Sequence, residues 1–381
     1  MRTDIPLFPA DASSSDMPCG DASLPSPDAS YWEQAGGLRD HWYIACTSAQ
    51  LKRGQVRAVK LFGRGIAVFR QADGSAAALI DQCVHRGVRL SAGKVNDGCL
   101  SCPFHGWRYD GQGRVVYIPS ADGLQPTGRE RPFRQRSFPV REQDGAIWVF
   151  LGDGDPAQQA VFRMPFHDHP DFVTYYMTGV YHGDLSSIAQ INIDVSHTVF
   201  VHGKLFRTMS GERLEASVEV TPRSVEVVYT PRRERLGLLP WLTNPRGELM
   251  QHSDRYFAPN ITRVDYHWGD SASFVFTSVI SPIDEHRAVL YTCISYKFPL
   301  PHRLLSWLRP LMHGYTRLVN RQDIAITRER LAGLANAPML QQHSVRADMA
   351  LVAIDKVVAA VQERRDVPAT LLGVRPMEFE I

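Results

Sequence analysis

Residues 81–110 read DQCVHRGVRLSAGKVNDGCLSCPFHGWRYD, and the fold of the first part of the chain turns on them. Cys83-x-His85 is followed, after 16 intervening residues, by Cys102-x-x-His105. Two thiols and two imidazoles in paired loops are a metal site, and zinc and iron–sulfur centres both accept such ligands. Gly87, Gly98 and Gly106 crowd the ligands and would let backbone amides approach a cluster's sulfides. A small zinc ribbon is the alternative, and Trp107 and the flanking β runs weigh against it. Cys99 lies three residues before Cys102. It reads as a small buried side chain rather than a ligand.

The doubled motif, and CPFHGWRYD (102–110) above all, resembles the cluster loops of the Rieske ring-hydroxylating and demethylating oxygenases. The resemblance implies a 2Fe–2S centre with Cys83 and Cys102 on one iron and His85 and His105 on the other.

Outward from this segment, VRAVKLFG, GIAVFR, SAAALID, GRVVYIPS and GAIWVFLG are short β runs separated by turn residues, which predicts a small all-β domain. The polar, Gly- and Pro-containing stretch 152–170 reads as a linker. Beyond it, LSSIAQINIDVSHTVFVHG reads as helix, and long strands fill 214–298. Closing helices are expected at 303–334 and 344–363, so the second part is α+β. The organisation expected is a flexible N-terminal arm at 1–38, rich in Asp, Ser and Pro, a cluster domain at 39–155 and a catalytic domain at 156–381.

The second domain carries its own constellation in QINIDVSHTVFVHGK (190–204), with Asp194, His197 and His202. Two histidines and one carboxylate on one face suit mononuclear non-haem iron. On a regular helix His197 and His202 would stand about 140° apart, so a π-bulge or helix break is expected near 199–201. Asp194 would share a helical face with His197. Most of the other histidines, His41, His182, His252, His286, His302, His313 and His343, read as satisfied core histidines.

Asp-x-x-His-x4-His is similar to the catalytic motif of Rieske non-haem iron oxygenases, here of the dicamba O-demethylase-like type. That resemblance implies a third ligand on a late helix, and LVNRQDIAITRERL supplies Asp323, 121 residues after His202. Glu329 is the reserve, with Asp265 and Asp284 as outsiders. By the same resemblance Asp194 is a catalytic residue bridging a cluster histidine of a neighbouring subunit and an iron histidine of its own; a helix cap is the plainer alternative. Asn192 stands one step off the position of an Asn found in many relatives.

The resemblance implies a terminal oxygenase component: a Rieske domain, then a helix-grip domain of antiparallel sheet and helices, in a head-to-tail homotrimer. The implied cofactors are the 2Fe–2S cluster, Fe(II) and dioxygen, with NAD(P)H acting through a flavin reductase or a ferredoxin. Monooxygenation of a small, mainly apolar, aromatic substrate, by hydroxylation or N- or O-dealkylation, is favoured over ring cis-dihydroxylation. The rival from another class is a Rieske electron-transfer protein with a ligand-binding domain. No GxGxxG follows a strand. Arg86, Arg89, Lys94 and Arg108 would steer an acidic electron donor. Strand residues Asn260, Tyr266, His267, Trp268, Phe274 and Phe276, with Tyr256 and Phe257 beside them, are the pocket candidates.

Composition sets the outer limits. Lys+Arg of 42 against Asp+Glu of 40 argues against a nucleic-acid or membrane-surface protein, and six cysteines are too few for a disulfide scaffold. No apolar run reaches the length of a membrane span. With no signal or transit pattern visible, a reducing cytoplasm is expected. The basic, apolar run PHRLLSWLRPLMHGYTRL (301–318) reads as a helix packed beside the active site rather than one touching a membrane.

Overall fold

The computed structural model describes residues 29–119, 133–203, 205–206, 211, 213–234, 237 and 244–380. The predicted arm divides: residues 1–28 lie outside the described residues, but 29–38 are not an arm. Helix α1 (Ala29–Gln34) and the turn Gly36–Arg39 bury Trp32, Ala35 and Leu38 in the main core. Gln362, near the far end of the chain, donates to the Gln34 carbonyl at 2.9 Å. Acidic composition suggested mobility; one tryptophan and one leucine anchor the segment.

The short β runs form three small antiparallel sheets. Their strands are β1 (Trp42–Thr47), β2 (Val56–Leu61), β3 (Arg64–Arg70), β4 (Ala76–Ile80), β5 (Lys94–Asn96) and β6 (Cys99–Ser101). After these come β7 (Arg108–Tyr109), β8 (Val115–Tyr117), β9 (Ser137–Phe138), β10 (Val140–Gln143) and β11 (Ala146–Phe150). The sheet orders are β1-β11-β10, β2-β3-β4-β9 and β5-β6-β7-β8. The last of these carries the second Cys/His loop between β6 and β7.

The second half is built on β12 (Val173–His182), β13 (Arg213–Val220), β14 (Ser224–Tyr229), β15 (Met250–Phe257), β16 (Ile261–Trp268), β17 (Ala272–Asp284), β18 (Arg287–Lys297) and β19 (Gly373–Glu380). They make one eight-stranded antiparallel sheet ordered β12-β18-β17-β16-β15-β14-β13-β19. The C-terminal strand β19, which closes the edge beside β13, was not foreseen. Strands β17 and β18 are buried along almost their whole length because both faces are covered. From the first domain, β1 docks on one face: Ser281 and Tyr291 donate to the carbonyls of Ile44 and Ala45 at 2.8 and 2.7 Å.

Helices cover the other face. They are α2 (Leu185–Ile193), α3 (His197–Val201), α4 (His302–Trp307), α5 (Arg309–Asn336) and α6 (Met349–Gln362), so the expected closing helices are present, the first with a joint at Leu308. Helix α5 lies on β12, where alternation aims Tyr175, Gly179 and Tyr181 at it. Tyr175 shares a hydrogen bond with Thr316 at 2.9 Å, and Tyr181 donates to Asn320 at 2.7 Å. Gly179 sets the approach: a Cβ there would stand 2.8 Å from Ile324 and 3.0 Å from Asn320. This contact fixes the helix that carries Asp323.

Candidate active site and metal centres

The two Cys/His loops are built alike. The Cys83 N–H donates to Val88 O at 2.8 Å and Cys102 N–H to Trp107 O at 2.9 Å, each five residues on. Gly87 and Gly106, each four residues after its cysteine, donate back to the cysteine carbonyl at 2.9 and 3.1 Å. Both glycines have positive φ, 76° and 70°, which closes the turn without strain. Gly98 is different: it turns the β5–β6 hairpin, and a Cβ there would strike Ala72. It therefore shapes the hairpin and not the ligand loops.

The turns bring the four predicted ligands together. Cys83 and Cys102 are buried, the rings of His85 and His105 lie 4.6 Å apart, and His85 stacks on Trp107 at 4.7 Å. Tyr109 places its hydroxyl 3.1 Å from the Cys83 sulfur. Nδ1 of His85 is buried without a hydrogen-bond partner, an orphan that a bound metal would satisfy. Cys99 sits on β6 outside both loops. Of the basic residues, Arg86, Arg89 and Lys94 are exposed around the loops, while Arg108 lies over Tyr117 and pairs with Asp97.

In the second domain the helix breaks twice, before His197 and, where expected, after Val201. Helix α2 ends at Ile193, Asp194–Ser196 is irregular, and α3 begins at His197. Asp194 and His197 therefore do not share a helix face. Of the π-bulge or helix break expected near 199–201, the structure has the break: α3 stops at Val201 and His202 follows in a non-helical conformation, φ −112° and ψ 20°. Ending the helix there turns the two rings toward each other, with centroids 5.3 Å apart.

Asp323 reaches this pair from α5. Its Oδ1 stands 2.9 Å from Nε2 of His202 and 3.5 Å from Nε2 of His197. Donors about 2 Å from one ion on neighbouring positions are separated by about 3 Å, so the three atoms fit a single metal. The Oδ1 atom is buried and makes no aligned hydrogen bond, as expected of a ligand atom aimed at an ion. Burial pushes the Asp323 carboxyl up, but the two histidines outweigh it and hold it below the usual range. Glu329, Asp265 and Asp284 are elsewhere; Asp265 binds Arg255 and Arg263, and Asp284 binds Arg287.

The remaining ring nitrogens are held from behind. His202 Nδ1 faces Gln322 Oε1 at 2.9 Å, and His197 Nδ1 bonds the Asp194 carbonyl. The Asp194 carboxylate lies 3.9 Å from that nitrogen and accepts from Ser196 N–H at 2.8 Å. Asp194 thus closes α2 and opens α3. Asn192 bonds back to Ile188 O at 2.7 Å, although it borders the cavity.

A cavity of about 110 Å³ lies beside the triad. Met177, Val195, Phe206, Val264, Leu290 and Phe276 give it an apolar wall, and Tyr266 is also part of the lining. Asn260, His267, Trp268 and Phe274, and Tyr256 and Phe257 with them, do not line it. Asn260 bonds Trp42 O and Ile280 O at the domain junction. His267 points to the opposite sheet face and meets Ser273. Trp268 and Phe274 pack with Leu305 and Met312 under α4.

One of the core histidines also lines the cavity. His252 is buried between Tyr229 and Tyr266, its ring 4.3 and 4.5 Å from theirs, and its Nε2 lies 2.9 Å from Asp254 Oδ1. Tyr229 donates to the other Asp254 oxygen at 3.0 Å. The spacing His-x-Asp on a strand puts both on one face, which was visible in QHSDRYF; the cavity above that face was not.

The first domain is a Rieske [2Fe–2S] domain: residues 41–128 match the model of that family. Over most of its length the chain has the fold of a dicamba monooxygenase. It matches the structure bound to 3,6-dichlorosalicylic acid with TM-score 0.70 and 23% identity, over 86% of this chain and 98% of that one. By sequence it is 33% identical over 204 residues to the oxygenase component of dicamba O-demethylase from Stenotrophomonas maltophilia, covering 50% of this chain and 55% of that protein. It is 32% identical over 178 residues to chloroplastic chlorophyllide a oxygenase from Chlamydomonas reinhardtii, covering 45% and 25%. The matches thus span about a quarter to about half of these relatives' own length.

Proposed function

We propose that the chain is the terminal oxygenase of a multicomponent system, monooxygenating a small, uncharged, mainly apolar substrate. The observation that carries this reading is the buried His197–His202–Asp323 group in the wall of an apolar cavity, in a chain that also holds a Rieske domain. Mononuclear iron, if held by these three residues, would supply dioxygen activation, and a cluster on Cys83, Cys102, His85 and His105 would supply the electrons. Overall, a C–H bond, dioxygen, two electrons and two protons give a C–OH bond and water. The electrons come from NAD(P)H through a reductase or ferredoxin.

The chain's own residues bind and orient. Among the described residues the cavity lining holds no Lys or Arg, so an anionic substrate would lack a counter-charge there. The apolar wall excludes water, and His252, held by Asp254, gives the cavity a fixed polar point. Asp194, next to His197, is the residue through which we assign coupling between subunits in a homotrimer. Hydroxylation and dealkylation at oxygen or nitrogen remain preferred to ring cis-dihydroxylation.

The test is iron and sulfide content of anaerobically purified protein with EPR of the reduced state. About three irons and two sulfides per chain, with a Rieske signal and labelled oxygen from 18O2 in a product, are expected. A protein that binds only the cluster and yields no product with a competent reductase would make it an electron carrier with a ligand-binding domain.

A further inference from the structure

The α4–α5 segment has a second face that the active site does not use. Its inner side is buried through Leu305, Met312, Thr316 and Asn320. The chain stays helical through the joint at Leu308, φ −76° and ψ −7°. Counted at 100° per residue, Leu304, Trp307, Leu311 and Leu318 fall within about 60° of one another, on the opposite side. They are 43%, 76%, 58% and 48% exposed, forming an apolar stripe about 20 Å long. Soluble surfaces seldom keep a tryptophan and three leucines in one outward row.

The charge beside this stripe has one sign. Residues 298–322 contain Arg303, Arg309, Arg317 and Arg321 and neither Asp nor Glu. Arg309 lies over the Tyr175 ring at 6.0 Å, and no described carboxylate pairs with any of the four. A chain with nearly balanced charge has therefore gathered Arg303, Arg317 and Arg321, unopposed, along one flank of the exposed Trp and Leu. That pairing of features suits an interfacial helix at an anionic lipid surface, where apolar side chains enter the acyl boundary and arginines meet the phosphates.

We propose that the outer face of α4–α5 docks the protein peripherally on an anionic bilayer, with Trp307 and Leu311 inserted and Arg303 and Arg317 on headgroups. This goes beyond the proposed activity and does not depend on it. Helix α5 presents Thr316, Asn320 and Asp323 to the cavity, so one helix separates the catalytic cavity from the docked surface. The sequence reading of 301–318 as a packed helix describes its inner side only.

The experiment is flotation of the full chain with vesicles of phosphatidylcholine, alone or mixed with phosphatidylglycerol, at low and raised salt. Binding to the mixed vesicles, weakened by salt, is expected. The double variant Trp307→Ser/Leu311→Ser should lose about tenfold or more in partitioning. Arg303→Gln/Arg317→Gln should lose about 25-fold, at about fivefold per arginine, and part of the salt dependence. The visible spectrum of the cluster and the thermal midpoint establish that each variant is folded, and a folded variant with the stated loss supports the proposal. Absence of wild-type binding to either vesicle would overturn it, as would undiminished binding by the apolar double variant. A wild type that stays off vesicles, together with a double variant that falls to a smaller species in light scattering, would give the face to a second copy of the chain.

Discussion

Gln322 meets Nδ1 of His202 at 2.9 Å while its neighbour Asp323 stands 2.9 Å from Nε2 of the same ring. Two successive residues of α5 thus grip both nitrogens of one imidazole. The backbone at this point is fixed by Tyr181 on Asn320 and by the close approach at Gly179.

Replacing Gln322 by Leu removes the partner that orients His202 without touching a ligand. Fe(II) affinity is expected to fall about tenfold or more, with the cluster spectrum unchanged. Equilibrium titration of iron-stripped protein checks it; an unchanged affinity would show that ring packing alone orients His202.

Asp323→Ala should leave a protein that retains cluster absorption but takes up no mononuclear iron, with product formation lost. Metal analysis after reconstitution measures this. Full iron occupancy would remove Asp323 from the ligand set.

Gly179→Ala tests the support rather than the site. The added methyl must displace Ile324 and Asn320, at a cost of about 1–3 kcal/mol. A lower thermal midpoint is expected together with weaker Fe(II) binding, since the displaced helix carries Asp323. A drop in stability alone would separate the packing from the metal site.

The pocket dyad has its own signature. Asp254→Ala deprives buried His252 of its acceptor and removes one partner of Tyr229, costing about 1–3 kcal/mol. Asp254→Asn, which keeps an acceptor oxygen, should recover most of this. Urea denaturation midpoints of the two variants against the parent decide it.

Acid should destabilise the fold through His41. Burial lowers its pKa from 6.5 to about 4, with Arg223 adding repulsion. The unfolded chain takes up a proton near pH 6.5 and the folded chain only near 4. Stability is therefore whole above 6.5 and declines as pH falls toward 4, by up to about 3 kcal/mol. His41→Gln should flatten that slope in denaturation midpoints measured from pH 4 to 7.

How much of this was legible in the sequence depended on the range of the interaction. The cluster ligands were readable because each loop is local, a cysteine and a histidine within one turn. Asp323 is legible only through the resemblance, since nothing local marks it; its contact with His202 joins residues 121 apart in sequence. For the pocket, strand alternation indicated a face and not a position along it. Tyr266, Trp268, Phe274 and Phe276 share a face, yet α4 covers only the end holding Trp268 and Phe274, and that follows from tertiary packing. The break after Val201 was legible from the angle between the two histidines, whereas the one at 194–196 was not, because local capping decides it. Asp194 ends one helix and, by accepting from Ser196, starts another.

The matched hydrogen bonds of the Cys83 and Cys102 loops bear on assembly. Each loop closes on itself through its own backbone, so its shape is set when the β domain folds. Cluster insertion then meets a preformed clamp, and the entropy of ordering these turns has already been lost. A cluster held there would draw on turns that their own backbone hydrogen bonds close.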